Sequence, residues 1–93
     1  MFTKITPIFL TMELSKLLAS NLKRLRADAG LSQAALAEAA DVSNKLISEI
    51  ERGITWPREE TLIAIADALR AKPAELLLDD ELVLLRLKKA LKR

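Results

Sequence analysis

The chain has 93 residues, 51% of them hydrophobic and 30% charged, which is enough for one compact domain and too little for two with separate cores. It contains neither cysteine nor histidine, which excludes disulfide frameworks, cysteine nucleophiles, imidazole bases and the usual zinc and haem ligands, so no metal, cofactor or catalytic centre is expected. Lys+Arg 15 against Asp+Glu 13 leaves only +2, so any affinity for a polyanion must come from local placement, and the 2 glycines and 3 prolines argue against a turn-rich sandwich or barrel. What remains is an all-α fold. The longest apolar stretches are far short of the roughly 20 residues of a membrane span, so a soluble, cytoplasmic chain with no membrane partner is expected.

In chain order, residues 1–12 carry one charge and alternate apolar side chains with threonine, a pattern closer to a short strand than to a secretory signal. This leader reads as flexible or arm-like: a mobile tail is preferred over an arm pairing with another subunit or an upstream start ahead of Met12. From there Leu14, Leu17, Leu18, Leu22, Leu25 and Ala29 recur at three- and four-residue spacings, predicting a first helix from about Glu13 to Ala29. Gly30 supplies its stop. Ser32 then caps a short, alanine-rich helix ending near Ala40, with Leu31 and Leu36 forming a hydrophobic staple around the cap. The device repeats with Val42, Ser43 and Ile47, predicting a third helix to about Arg52, followed by a stop at Gly53. A loop over residues 54–57 precedes an acidic helix start at Glu59 and Glu60, and Leu62, Ile65, Ala66 and Leu69 make this fourth helix amphipathic. Pro73 suits the first turn of a short fifth helix reaching Leu78. The tail over residues 79–93 is itself helical, acidic first and basic last.

Two short capped helices joined only through Asp41 and Val42 must cross steeply, which is the helix-turn-helix geometry. The run SQAALAEAADVSNKLISEIERG, preceded by KRLRADAGL and followed by PREETLIAIADAL, resembles the helix-turn-helix family of phage repressors, Cro proteins and related XRE-like bacterial regulators. The resemblance covers about Leu22 to Leu77 and rests on several cues together: the Ser-Gln start of the second helix, Ala37 where two helices touch, Val-Ser before the third helix and Glu-Arg-Gly after it. It implies a five-helix, lambda-repressor-like DNA-binding domain over residues 13–78, with an additional C-terminal helix. The chain departs from the family at Asp41 and near Arg70, where glycine is frequent.

The resemblance also implies a site. The third helix would enter the major groove, with Asn44 and Lys45 in its first turn and Ser48 and Glu49 one turn on, while Ile47 and Ile50 face inward. Asn44 suits bidentate pairing with adenine, Lys45 donation to guanine, and Glu49 acceptance from a cytosine amine or, instead, an ion pair within the protein. Gln33 would bond a phosphate and steady the start of the third helix. Ser32 and Ser43 are caps first and phosphate contacts second, Thr55 and Arg58 lie where the loop would run beside the DNA backbone, and Trp56 reads as loop packing in preference to a sugar–phosphate contact. Arg26 and Glu51 resemble a structural ion pair of the family between its first and third helices.

In the tail, Val83, Leu84, Leu87, Ala90 and Leu91 fall on one broad side and Leu82 and Leu85 form a second patch. One patch can close the domain core and the other calls for a cover, which predicts a homodimer built on Leu82, Leu84, Leu85, Leu87 and Leu91. A dimer would double the base contacts across half-sites about 34 Å apart in a near-palindromic operator. The leading function is therefore a sequence-specific regulator of transcription acting on double-stranded DNA, expected to be of repressor or controller type because 93 residues leave no room for a sensing domain beside it. The alternative is an antitoxin or other interaction module whose leader or last helix binds a partner protein, a toxin or a co-regulator. Enzymatic function is not expected, because Asp79 with Asp80 and Glu59 with Glu60 are adjacent pairs at helix starts, where capping explains them.

Overall fold

The computed structural model describes residues 6–92, with side chains described for residues 14–79, 85 and 87–92. The described residues are all helical, without strands: α1 (Thr6–Asp28), α2 (Gln33–Ala40), α3 (Asn44–Glu51), α4 (Glu59–Ala68), a 3₁₀ segment (Pro73–Leu77) and α5 (Asp80–Leu91). None of these helices is long and apolar enough to cross a membrane. Two elements differ from expectation. The backbone of α1 begins at Thr6 instead of about Glu13, taking in most of the leader that patterned as a strand, while residues 1–5 lie outside the described part. Pro7 is compatible with this earlier start, because a proline in the first turn removes an N–H that has no intrahelical partner there. The fifth predicted helix is a 3₁₀ segment, closed by Glu75 N–H to the Lys72 carbonyl at 2.9 Å and by the Glu75 carboxylate accepting from the Lys72 N–H at 2.7 Å. The carbonyls of Leu76 and Leu78 accept instead from the Asn21 side-chain amide, at 2.8 and 3.0 Å, which ties this segment to α1.

Four consecutive helices stop in the same way. Gly30, Asp41, Gly53 and Arg70 all have positive φ, at 72°, 58°, 76° and 55°. In each case the residue that follows donates its N–H five residues back: Leu31 to Arg26, Val42 to Ala37, Ile54 to Glu49 and Ala71 to Ala66, all between 2.9 and 3.1 Å. This left-handed reversal satisfies carbonyls that the helix end would otherwise leave open and turns the chain sharply. Asp41 and Arg70, the two departures from the family pattern, therefore occupy left-handed positions without being glycine.

The core joins every element from α1 to the 3₁₀ segment. Leu18 and Leu22 of α1, Leu36, Ala37 and Ala40 of α2, Ile47 and Ile50 of α3, Ile65 and Ala66 of α4, and Leu76 form one buried cluster. Each of its large side chains contributes about 1.5–3 kcal/mol by leaving water. The staple residues Leu31 and Val42 pack against the same cluster, so the caps and the core specify one entry angle for each short helix. Ala37 and Ala40 keep the contact side of α2 small where it meets α3 and α4. Leu14 and Ala29, at the two ends of the predicted stripe of α1, are exposed.

Candidate nucleic-acid interface

The start of α3 is built from local chemistry. Ser43 has an extended backbone and its hydroxyl accepts from the Leu46 N–H at 3.0 Å; Ser32 does the same for Ala35 ahead of α2, also at 3.0 Å. The earlier N–H groups of both helices stay unpaired by helix geometry, so each start presents a positive end to an anion. On α3, Ile47 and Ile50 are fully buried, which fixes the helix about its own axis and turns the opposite side outward. Asn44 and Lys45 are exposed on that side, the Lys45 side chain by 82%, and Ser48 and Glu49 are half-buried one turn on.

The acid on this face has partners. The Glu49 carboxylate lies 4.0 Å from Lys45 Nζ and accepts from the Thr55 hydroxyl at 3.5 Å. Of the two roles open to Glu49 from the sequence, the structure records the internal ion pair. Thr55, expected on the DNA backbone, anchors the following loop to α3 through this bond. Further along the loop Arg58 is exposed at the N-cap of α4 without capping through its side chain. Trp56 is 43% exposed whereas Pro57 is buried, so the proline is the residue this loop packs inward.

Arg26 and Glu51 form the expected pair, and the geometry is bidentate: Nε to Oε2 at 2.6 Å and Nη2 to Oε1 at 3.0 Å. Arg26 Nη1 also donates to the Leu31 carbonyl at 2.8 Å, which fastens the turn after α1 to the end of α3. Gln33 Nε2 donates to Glu51 Oε1 at 3.0 Å. The sequence reading gave Gln33 the start of α3; its amide instead reaches the opposite end, because Glu51 is a buried acceptor with a lone pair to fill. Burial alone would push the Glu51 carboxyl up, but hydrogen bonds from Arg26 and Gln33 and the charges of Arg26 and Lys23 hold it below the ordinary glutamate range. The Arg26 guanidinium is raised by its hydrogen bond to Glu51, against burial.

Residues 22–76 of this arrangement, from the last third of α1 to the 3₁₀ segment, match the helix-turn-helix family HTH_3. The chain belongs to that family. An uncharacterized HTH-type transcriptional regulator, y4dJ of Sinorhizobium fredii (strain NBRC 101917 / NGR234), is 37% identical over 65 residues, covering 70% of this chain and 84% of that protein. Among solved structures, the clp gene regulator ClgR from C. glutamicum is 39% identical with a TM-score of 0.66, covering 69% of this chain and 82% of its own. The restriction-modification controller protein C.AhdI from Aeromonas hydrophila is 29% identical with a TM-score of 0.65, covering 67% and 94%. The protein is thus a transcriptional regulator with a helix-turn-helix DNA-binding domain, from a family of regulators and not of enzymes.

Residues 6–21 of α1 and all of α5 lie outside the matched helix-turn-helix residues. On α5, Leu85, Leu87 and Leu91 are exposed by 53%, 53% and 83%, while the side chains of Leu82 and Leu84 fall outside the described part. Leu85 belongs to one predicted patch and Leu87 and Leu91 to the other, so exposed leucines occur on both. Sequence reasoning missed Asn21, which is 5% exposed and bonded to the Leu76 and Leu78 carbonyls. The signal was present: position 21 falls on the stripe of Leu17, Leu18, Leu22 and Leu25, where a polar side chain needs a buried partner.

Proposed function

We propose that the protein regulates transcription by binding a near-palindromic operator as a homodimer, as a repressor or a controller-type protein in the cytoplasm. The observation that carries this reading is α3: a capped helix pinned by two fully buried isoleucines that presents Asn44 and Lys45 to solvent. In the groove, Asn44 pairs with adenine, Lys45 with guanine, Ser48 lies one turn behind them, and Glu49 exchanges its Lys45 partner for a cytosine amine. Ser32, Gln33, Ser43, Thr55 and Arg58 supply the backbone contacts, from two helix starts and the loop after α3. Exposed leucines on α5 support the second copy, since an apolar helix face of this kind is more stable covered. The relatives add to the reading, one being a clp gene regulator and another a restriction-modification controller protein.

Selection of bound duplexes from a random pool at about 150 mM salt tests it, because non-specific phosphate binding is weakened there. The expected result is an enriched inverted repeat, with one base preference lost in each of Asn44→Ala and Lys45→Ala. Enrichment of a single half-site would remove the homodimer. No enrichment by a folded protein would remove the operator reading and leave α5 as the docking face for a partner protein such as a toxin or co-regulator.

A further inference from the structure

A cleft of about 540 Å³ opens between α1 and the C-terminal end of α3, away from the residues that face the groove. Lys16, Lys23 and Arg24 of α1 and Arg52 after α3 line it, all exposed. For a chain whose total charge is only +2, four cations around one cleft are a marked local excess. The remaining surface is made of small groups, Ala19, Ser20 and Gly53. Gly53 brings the loop close to α1, its Cβ position falling 3.9 Å from the Ser15 carbonyl. Among the described residues, Glu51 is the one carboxylate in the lining, and its charge is already answered by Arg26 within the protein. Of the lining cations, Lys23 is near enough to help hold the Glu51 carboxyl down.

We propose that this cleft is a second anion site, which takes a phosphate group on its cationic rim with the Ser20 hydroxyl beneath it. Guanidinium groups match phosphate oxygens in pairs, and a floor of small residues lets the anion approach several cations together. An apolar ligand does not suit an open cleft with this rim. The eight residues of α3 put the cleft about 12 Å along the helix from Asn44, so its occupant is not the base edge read by α3. The phosphate comes either from the DNA backbone flanking the half-site or from a soluble, multiply phosphorylated small molecule.

The test uses the full chain and the double variant Lys23→Gln/Arg52→Gln, whose side chains are exposed and whose fold is checked by circular dichroism. Inorganic triphosphate is titrated at low salt while backbone amide resonances are followed. Shifts centred on Ser20 and Gly53 in the wild type, with affinity about tenfold weaker in the variant, are expected from losing two charge-assisted contacts. Shifts spread evenly over all exposed cations, or unchanged in the variant, overturn the site. A second arm compares the salt dependence of operator binding. A slope smaller by about 0.9 per lost contact with the same base preference assigns the phosphate to DNA, and an unchanged slope assigns it to a soluble ligand. The duplex arm rests on the operator reading above, whereas the triphosphate arm contains no DNA and stands if that reading fails.

Discussion

Arg26 and Glu51 are partners in one bidentate pair, yet removing either should not cost the same. The Glu51 side chain is 3% exposed and that of Arg26 is 20% exposed. In Arg26→Ala the carboxylate stays in the interior with only the Gln33 amide, close to the case of an uncompensated buried charge, for which about 3–5 kcal/mol is typical. In Glu51→Gln the guanidinium keeps its bond to the Leu31 carbonyl and can turn toward water, so the cost should fall to about 2 kcal/mol, above the 1 kcal/mol or less of an exposed pair. Acid adds a second signature. In the wild type the Glu51 carboxyl is depressed, so its stabilisation is complete above the unfolded value of about 4.3 and is lost as pH falls through the lower folded value. In Arg26→Ala burial is opposed only by Gln33 and the more distant Lys23, so the carboxyl rises and its penalty disappears on protonation. The deficit of Arg26→Ala relative to wild type should therefore be largest at pH 7, shrink as pH falls through the variant's raised value toward about 4.3, and be smallest below pH 4. Urea unfolding followed at 222 nm, at equal protein concentration and at both pH values, measures it. A deficit under 1 kcal/mol at pH 7, a Glu51→Gln cost equal to or above that of Arg26→Ala, or a deficit independent of pH would refute the reasoning.

Arg70→Gly should stabilise the chain by about 1 kcal/mol, or a melting point higher by roughly 4–8 °C, because a left-handed arginine carries a steric cost that glycine lacks. Asp41→Gly should gain less, since aspartate tolerates this backbone; equal gains in thermal melts would contradict the ranking. Asn21→Ala should cost about 1–3 kcal/mol by leaving the Leu76 and Leu78 carbonyls without their amide donor, and chemical unfolding with no loss would mean that water replaces it. Ser43→Ala should cost about 1 kcal/mol and Ser43→Gly a few tenths, the ordering of a helix cap, which urea midpoints would resolve.

What was legible in the sequence was what short-range patterns encode. Ser32 and Ser43 announce their helices because cap, staple and first core residue lie within five positions, and the stops at Gly30 and Gly53 sit within three residues of the last periodic one. Arg26 and Glu51 are 25 residues apart and carry no local signature, so the resemblance to repressor-type proteins was needed to pair them. The partner of Gln33 was misplaced for the same reason, as a buried acceptor is a property of the packed core. The 3₁₀ segment escaped because five residues cannot show a period, and its carbonyls are held by Asn21, 55 and 57 residues away. The exposed face of α3 was legible in outline from Ile47 and Ile50, but the bonds that tie Glu49 to Lys45 and Thr55 depend on how the loop returns.

With α3 in the major groove as proposed, the carboxylate of Glu49 has a consequence for how the protein finds its site. Phosphates repel it on every stretch of duplex, whatever the bases, and Lys45 spends part of its charge on it. Both effects shorten the dwell on the very many competing sequences that a chromosome offers. On the proposed reading, a groove that presents a donor to the acid would offset the repulsion and release Lys45 to a neighbouring base. A weaker hold on everything else speeds the search and widens the ratio between the right address and the wrong ones, which matters more to a regulator than the tightness of its final grip.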